Sequence, residues 1–486
     1  MRSLAVLALA APLVAALAVA TAGWRRAGVA ASIAAPAAIL GSGLTLAWGV
    51  RDGVVRTGPL RTDALAVVML VVIGSVGLLA VAASVGYLRR EQAAGHLHPR
   101  NARRYGVLVD LFLATMTLAV LADNLGVMWV AIEATTVVTA FLVGHHHTRA
   151  ALEATWKYVI ICSVGIALAF LGTVLLYFAS VHAGPTHDAL GFGTLLGRAP
   201  HLDPAVTRLA GVLLLLGYGT KVGLAPFHTW LADAHSQAPA PVSALMSGVL
   251  LAVALTSLLR VKAVVDAALG AGFMRVGLLT VGLATLVVAA GLLIAQRDFK
   301  RLLAYSSMEQ MAFAAIAASA TNPLATSALL LLVMVHGMAK AVMFIGSGHL
   351  QQAHRSTSIA MIRGLLARSP ALAGAATVGL CVLAGLPPFG IFAAEVGAAR
   401  GLSDANLAWP LGIALLLVLV AVAALAGRGG AMLFGEPDAE APPIPLGRLD
   451  VSVLWAGLAG CLLLGIASGP LGPVLRSAGR LLAGAS

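Results

Sequence analysis

One stretch of the chain combines a buried ionisable residue with a helix that cannot stay regular. Lys221 lies in the middle of an apolar segment, residues 214–251, which breaks at Gly223 and Pro226. After the break the chain turns polar and then returns to an apolar run. An interrupted helix beside a buried lysine is costly at membrane depth unless both line a polar cavity, as discontinuous helices do in transporters. The pattern therefore predicts a membrane-embedded ion path.

Three further ionisable residues lie deep inside apolar segments: Glu133, Lys340 and Glu395. An ionisable side chain at the bilayer centre costs about 2.5–3.5 kcal/mol on insertion scales, so such residues usually pair and usually have a function. One interpretation is that Glu133–Lys221 and Lys340–Glu395 are structural ion pairs. We favour proton transfer: burial disfavours the charged lysine, a nearby carboxylate restores it, and moving Glu133 away would make Lys221 release its proton.

Two histidines extend the set of candidate proton carriers. His228 follows the first break, and His336 precedes Lys340 by four residues, which places the latter two on one helix face. Histidine titrates near neutral pH and can pass protons between sites. Asp110 and Glu309 lie only a few residues inside their predicted spans, and we interpret them as helix-end residues that could mark entrances.

Apolar segments that recur from end to end must position these residues. With 60% hydrophobic and 10% charged residues among 486, the composition excludes a soluble protein. The net charge of +12 is spread mostly as single arginines over short loops, which is typical of membrane proteins and excludes a nucleic-acid surface. Each of fourteen segments can cross a hydrocarbon core about 30 Å thick. We predict spans at residues 3–22, 28–50, 64–88, 105–122, 125–144, 154–180, two within 214–259, 273–295, one beginning at 302, 324–348, 371–399, 407–433 and 451–469.

The first span admits a second interpretation, because residues 1–22 could also be a cleaved secretory signal. We predict a membrane helix, since the apolar region is longer than that of a signal and another span follows almost directly. Lys and Arg are more frequent in loops that follow odd-numbered spans, which predicts both termini outside the cytoplasm.

A second interruption indicates an internal repeat. The sequence GLPPFG at 385–390 breaks the twelfth span, five spans after the break in the seventh, and each break lies beside a buried charge. Paired interrupted helices in corresponding positions are typical of repeats in transporters. We therefore divide the chain into three N-terminal helices (1–104), a first repeat of helices 4–8 (105–260), a second repeat of helices 9–13 (273–433), and helix 14 with a tail (434–486).

The sequence contains no motif for a redox centre or a nucleotide. Cys162, Cys381 and Cys461 lie far apart in apolar segments without CxxC spacing, and no dinucleotide-binding, P-loop or haem-attachment motif is present. The consecutive histidines 145–147 cannot all face one ion on a regular element. We therefore expect no metal, no cofactor and no catalytic centre in this chain, and we expect any redox chemistry on a partner.

Five motifs of the chain are shared with a known family. They are NLGVMWVAIEATT (124–136), GTKVGLAPFHTWLADAHSQAPAPVSALMSG (219–248), RDFKRLLAYSSMEQMAF (297–313), HGMAKAVMF (336–344) and GLPPFGIFAAE (385–395). These motifs resemble the antiporter-like membrane subunits of respiratory complex I, Mrp-type cation/proton antiporters and membrane-bound hydrogenases. The resemblance covers roughly residues 105–430, and ALEATWKYVIICSVGIALAFLGTVLLYF (151–178) is most similar to the hydrogenase-4 component F group.

The resemblance implies an all-α, proton-conducting subunit with two inverted five-helix repeats. By matching motifs, Glu133 would be the carboxylate of the input half and Lys221 its lysine. Glu395 would be the terminal residue of the output half, with Lys340 and His336 on the polar axis between them. The resemblance also implies partner membrane subunits in a bacterial-type inner membrane and a soluble redox arm that carries nickel–iron and iron–sulfur centres.

One departure from the family pattern lies in the eighth span. Many relatives carry a lysine or histidine there, whereas this sequence has Ala252. We interpret the gap as covered by water with His228 and His336, because the rest of the polar series is present. We also expect no long C-terminal helical extension like that of the largest complex I antiporter subunit.

The predicted function is therefore that of a proton-translocating, cofactor-free subunit of a complex I-like assembly, most similar to a hydrogenase-4-type one. Three alternatives stay open. They are a subunit of an Mrp-type sodium/proton antiporter, an antiporter-like subunit of an NADH-quinone oxidoreductase, and a scaffold that has lost conduction, for which Ala252 is the argument.

Overall fold

The computed structural model describes residues 1–49, 53–436, 444 and 446–484. The described chain is helical apart from a short antiparallel ribbon of β1 (Val55–Thr57) and β2 (Leu60–Thr62). The helices are α1 (Arg2–Ala22), α2 (Arg26–Gly49), α3 (Ala64–Ala93), α4 (Pro99–Leu121), α5 (Leu125–Val143), α6 (Arg149–His182), α7 (Phe192–Arg198), α8 (Pro204–Val222), α9 (Trp230–Gln237), α10 (Ala240–Leu245), α11 (Leu251–Leu269), α12 (Ala271–Ala295), α13 (Phe299–Ala318), α14 (Pro323–His354), α15 (Leu365–Arg368), α16 (Pro370–Leu383), α17 (Gly390–Asp404), α18 (Ala408–Phe434), α19 (Arg448–Ile466) and α20 (Gly472–Ala483).

The predicted all-α, multi-pass membrane architecture is confirmed. Within the described ranges, twelve helices are long and apolar enough to cross a membrane, and α10 and α11 join through a π-helical turn into one of them. The two predicted spans outside this set are α13, which carries several polar residues, and the interrupted pair α16 and α17. The total of fourteen spans therefore stays a prediction.

Several predicted boundaries differ from the structure. The helix α4 starts at Pro99, inside the loop predicted between the third and fourth spans, because His98 accepts a hydrogen bond from the first turn. The segment between the predicted span 154–180 and the next predicted span contains the short helix α7. In the polar segment 434–449, between the last two predicted spans, residues 437–443 and 445 lie outside the described residues, as does the last residue of the predicted span 28–50.

Three spans form the buried centre of the bundle: α3, the continuous span Ala240–Leu269, and α14. They are buried on nearly all faces, which is typical of helices surrounded by other helices. Small residues let their backbones meet: a Cβ atom on Gly248 would lie 2.7 Å from the carbonyl oxygen of Gly337 on α14. The peripheral helices, such as α1 and α18, expose one face outward.

Both predicted helix breaks are present. The helix α8 ends at Val222, where Gly223 adopts a left-handed conformation with φ of 86°, and the chain becomes helical again at α9. The helix α16 ends at Leu383, Gly385 has φ of 65°, and α17 begins at Gly390. A left-handed glycine just after a helix is a common way to end it, because glycine adopts this conformation without a steric penalty. Each break thus creates two additional helix ends within a predicted span.

An ion-pair network holds one end of the central helices. Asp63 caps α3 and accepts hydrogen bonds from Arg260 at 3.0 and 3.1 Å and from Arg61 Nε at 2.7 Å. Burial raises the pKa of Asp63, but the two guanidinium groups outweigh that effect and hold it at about 2. The Phe192 ring lies 5.0 Å from each guanidinium carbon. The network ties α3, the span containing α11, and α7 together.

Candidate functional site

The first group of predicted site residues meets between α5, α6 and α8. The Lys221 ammonium is buried and donates hydrogen bonds to Thr136 Oγ1 and to the Tyr158 hydroxyl, both at 3.0 Å. Thr136 Oγ1 in turn donates to Glu133 Oε2 at 3.1 Å. The predicted pair of Glu133 and Lys221 is therefore brought together, but it is joined through a hydroxyl group that the sequence did not single out.

Close packing of α6 against α8 places Lys221 beside Tyr158. A Cβ atom on Gly217 would lie 2.5 Å from the backbone nitrogen of Ala169, so only glycine permits this approach. Lys221 sits in the last turn of α8, where the free carbonyl groups favour a positive charge. Trp230, the first residue of α9, donates a hydrogen bond from Nε1 to the Thr220 carbonyl at 3.0 Å, so the second half of the broken helix caps the first.

Glu133 faces outward from this group. Its side chain is half-buried and lines an open, largely apolar groove of about 550 Å³ between α5 and α6. The other polar lining residues include Thr136 and Arg104, whose guanidinium lies 5.1 Å from the Phe141 ring centre. Glu133 can therefore be reached from the side of the bundle, whereas Lys221 cannot.

The second group lies between α13, α14 and α17. The buried Lys340 ammonium donates to the Leu303 carbonyl at 2.9 Å and to the Ser306 hydroxyl. The carboxylate that interacts electrostatically with Lys340 is Glu309 on α13. The predicted pairing of Lys340 with Glu395 is therefore wrong.

Glu309 is not the helix-end residue predicted from the sequence. It lies in the middle of α13 with only 3% of its surface exposed, because the helix begins at Phe299 and turns this position inward. The neighbouring Gln310 donates from Nε2 to both carboxylate oxygens, at 3.3 and 3.1 Å. Glu309 also interacts electrostatically with Glu395.

Glu395 lies against the second helix break. Its Oε2 atom is 2.4 Å from the position that a Cβ atom on Gly385 would occupy. The glycine is therefore required both for its left-handed backbone and for the space that the carboxylate fills. As predicted, each break has an ionisable side chain beside it: Lys221 at the first and Glu395 at the second.

The two predicted histidines have different surroundings. His336 is buried on α14, one turn before Lys340, and neither of its ring nitrogens has a hydrogen-bond partner among the described residues. His228 is half-buried in the first break, and its Nδ1 atom is likewise unpartnered within the described chain. The structure thus brings His336 to the Lys340 group, while His228 stays at the break.

Sequence reasoning missed His235 on α9. It is fully buried, stacks on Phe344 of α14 with ring centres 5.0 Å apart, and interacts electrostatically with Lys300 and Lys340. Both ring nitrogens lack a partner in the part of the chain that the structure describes. The feature of the sequence that could have indicated His235 is its place in the polar stretch that follows the first break. His235 reaches from the first broken helix to the lysines of the second group.

A further missed residue, Lys300, anchors the end of α9. Its buried ammonium donates to the carbonyl groups of Ser236 at 3.1 Å and Ala238 at 2.7 Å, at the C-terminal end of that helix. A cation at this end satisfies free carbonyl groups and complements the helix dipole. Lys300 therefore fixes the helix that carries His235.

The eighth span contributes hydroxyl groups where many relatives were expected to have a charge. Ala252 is buried and offers only a methyl group. The nearest polar residue along the span is Thr256, whose hydroxyl donates to the Ala252 carbonyl at 2.7 Å. Ser247 lies five residues before Ala252, in the π-helical turn, and its hydroxyl is 2.7 Å from that of Ser307 on α13. Such turns are often found at functional positions. The two halves are thus linked by a pair of hydroxyl groups more than one turn from Ala252.

Asp110, also predicted as a helix-end residue, is buried in the middle of α4. It accepts a hydrogen bond from Ser32 on α2 at 2.7 Å. This prediction was wrong because α4 starts before the predicted span. Across the described ranges, no three or more His, Cys, Asp or Glu side chains are grouped to hold a metal ion.

The sequence of this chain is similar to those of known membrane proteins. Residues 122–421 match the family profile described as NADH:quinone oxidoreductase/Mrp antiporter, TM. The chain is 38% identical over 388 residues to a hydrogenase-4 component F homolog from Methylacidiphilum infernorum, covering 79% of this chain and 80% of that protein. It is 31% identical to NADH-quinone oxidoreductase subunit N from Deinococcus radiodurans, covering 78% and 74% respectively.

Solved structures share the fold over nearly the whole chain. A chain of the membrane-bound sulfane sulfur reductase, an archaeal respiratory membrane complex, superposes with a TM-score of 0.87 at 21% identity, covering 99% of this chain and 98% of that chain. A chain of respiratory complex I from Thermus thermophilus gives 0.78 at 27% identity, with coverages of 97% and 99%. The chain therefore belongs to the NADH:quinone oxidoreductase/Mrp antiporter transmembrane family.

Proposed function

We propose that this chain translocates protons as a cofactor-free membrane subunit of a complex I-like redox assembly. The observation that carries the proposal is the bridge from Glu133 through Thr136 to Lys221 beside the break in α8. Each link is 3.0–3.1 Å long, within the range for proton transfer between heavy atoms. Buried ionisable residues in a membrane are otherwise rare, because they are costly.

The bridge offers a way to couple movement to proton release. A partner could drive a shift of α5 that separates Thr136 from Lys221. The Glu133 carboxylate would then lie too far from the Lys221 ammonium to stabilise its charge. Burial would then disfavour the ammonium, and Lys221 would give up its proton. Restoring the bridge would let Lys221 take a proton again from Glu133, which is open to the lateral groove.

A released proton would continue along the middle of the bundle toward Glu395. Its carriers would be His235 on α9 and His336 and Lys340 on α14. His228 would carry protons at the first break. Imidazole nitrogens that make no hydrogen bond to the described residues are available to water, and the Ser247 and Ser307 hydroxyl groups would hold such water between the two halves.

We further propose a hydrogenase-4-type assembly, on the strength of the 38% identity to a hydrogenase-4 component F homolog. Its partners would be other membrane subunits and a soluble redox arm that holds nickel–iron and iron–sulfur centres. We place it in a bacterial-type inner membrane, with fourteen spans, both termini outside the cytoplasm, and inverted repeats at 105–260 and 273–433. An Mrp-type antiporter subunit is the second candidate, because a chain of the Mrp complex from Dietzia shares the fold with a TM-score of 0.86.

The test is the substitution Lys221→Met in the complete native assembly, purified and reconstituted into vesicles. We expect assembly to persist and redox-driven proton pumping to be abolished. The matched control is Lys157→Met, which removes a half-exposed lysine of α6 that pairs with Glu153 and Asp233 at the bundle edge. Unchanged pumping in Lys221→Met would reject the proposal and favour a scaffold.

The composition of the purified complex separates the two candidates. Nickel and iron with a soluble arm would support the hydrogenase type, whereas iron and flavin without nickel would indicate a dehydrogenase. A metal-free complex with sodium-dependent proton exchange would indicate the antiporter.

A further inference from the structure

A second buried carboxylate, Glu309, lies in the half of the bundle that contains the second break. Its helix, α13, is the second helix of the second predicted repeat, just as α5 with Glu133 is the second helix of the first. Glu309 is 3% exposed, and its two oxygens accept hydrogen bonds only from the adjacent Gln310 among the described residues. The path proposed above assigns it no role.

The residues around Glu309 repeat part of the arrangement around Glu133, although the Ser306 hydroxyl donates to the Leu303 carbonyl and not to the carboxylate. In α5, Glu133 and Thr136 are three residues apart on one helix face, and the lysine of a neighbouring helix donates to the threonine hydroxyl. In α13, Ser306 and Glu309 are also three residues apart, and Lys340 of α14 donates to the serine hydroxyl. Each half therefore contains a carboxylate, a hydroxyl and a lysine in one cluster. The order of hydroxyl and carboxylate along the helix is reversed in the second half.

Glu309 also faces the ionisable residue at the second break. It interacts electrostatically with Glu395, while Lys340 interacts with Glu309. Glu309 is buried and Glu395 is half-buried. Two interacting carboxylates with little solvent around them cannot both carry a charge at low cost, so a proton on one of them favours the charged form of the other. The cluster therefore contains a donor, Lys340, and two carboxylates that compete for one proton.

We propose that Glu309 is a proton-carrying residue of the second half, located between Lys340 and Glu395 in the transfer sequence. The Lys340 ammonium gives its proton to the Glu309 carboxylate through intervening water, which leaves a neutral amine and a neutral carboxylic acid. The acid then gives the proton to the Glu395 carboxylate, again through water, and Glu309 is charged again. This inference rests on the proposed function.

The test uses the reconstituted native assembly with two substitutions at one position. Glu309→Gln keeps the size and hydrogen-bonding capacity but cannot carry the proton, and we expect pumping to fall about 100-fold, as for loss of an acid–base group. Glu309→Asp keeps the carboxyl group and should retain part of the rate. Asp110→Asn is the matched control, because it removes another buried membrane carboxyl outside the cluster and should leave pumping unchanged.

Infrared difference spectroscopy gives a second measurement. The infrared spectrum would not change if Glu309 had only a structural role. We expect turnover to produce a carbonyl band of a protonated carboxylic acid that shifts in Glu309→Asp. Normal pumping in Glu309→Gln, or an unshifted band in Glu309→Asp, would overturn the inference. If Lys221→Met abolishes pumping in the same preparations while Glu309→Gln does not, only the role of Glu309 fails. If both variants pump normally, the proposed function itself fails.

Discussion

The space that Gly385 leaves for the Glu395 carboxylate leads to a sharp prediction for the substitution Gly385→Ala. The new Cβ atom would lie 2.4 Å from Glu395 Oε2, so the carboxylate must retreat by about 1 Å to reach ordinary contact at about 3.4 Å. Gly385 also has φ of 65°, and an L-residue in that conformation costs about 1–2 kcal/mol. The substitution therefore combines modest destabilisation with displacement of one functional group.

The functional effect should exceed the effect on stability. A 1 Å displacement of a reacting group can reduce a rate by about 100-fold, because transfer requires close alignment. We expect redox-driven pumping to fall by 10- to 100-fold on this basis, while about 1–2 kcal/mol leaves most of the protein folded. Redox turnover and acidification of the vesicle interior, followed together with a pH-sensitive dye, would measure the effect.

Two further variants test whether displacement of the Glu395 carboxylate causes the loss of pumping in Gly385→Ala. Gly412→Ala places a methyl group on the exposed face of α18, where the described residues leave open space, and should pump normally. Glu395→Asp shortens the carboxylate side chain, so adding it to Gly385→Ala should restore part of the lost rate. The reasoning is refuted if Gly385→Ala, correctly assembled, pumps as fast as the unsubstituted protein.

The remaining predictions concern the first polar group and the ion-pair network. Thr136→Val removes the hydroxyl between Glu133 and Lys221 and should slow pumping in vesicle assays. In thermal unfolding it should cost about 1.5–3 kcal/mol of stability, the usual value of a hydrogen bond to a charged group. Thr136→Ser keeps the hydroxyl and should behave normally in both assays. Asp63→Asn leaves buried Arg260 without its carboxylate and should cost about 3–5 kcal/mol in chemical unfolding; equal stability of the variant would contradict the network's role. Because the folded pKa of Asp63, about 2, is below the ordinary value of 3.8, its contribution should be complete above pH 3.8 and disappear as the pH falls through 2.

The ionisable residues and helix breaks could be predicted because they contrast with long apolar runs. A charge such as Lys221 has few structural explanations at membrane depth, and glycine followed closely by proline favours a break in a helix. The hydroxyl partners could not be predicted in the same way. Thr136 and Ser306 look like ordinary residues of membrane helices, where such side chains often hydrogen-bond to their own backbone.

Other features depended on contacts between distant parts of the chain. Glu309 was misplaced because the predicted span began only at residue 302, whereas the helix begins at Phe299 and continues for nine residues beyond Glu309. His235 looked like part of a polar corner until Phe344, from another span, covered its ring. The partners of Lys340 were mistaken for the same reason, since sequence spacing does not show which side chains of two neighbouring helices meet.

The unequal exposure of Glu133 and Glu309 bears on how well the membrane holds its electrochemical gradient. Glu133 opens to a lateral groove and can exchange protons with whatever covers that side, while Glu309 is enclosed on all sides by helices. Under the proposed mechanism, backflow through the second half would have to place a charge on an enclosed carboxylate without a partner-driven movement. Idle assemblies would then dissipate little of the stored proton-motive force, and enlarging the space around Glu309 would be the most direct way to make the membrane leak.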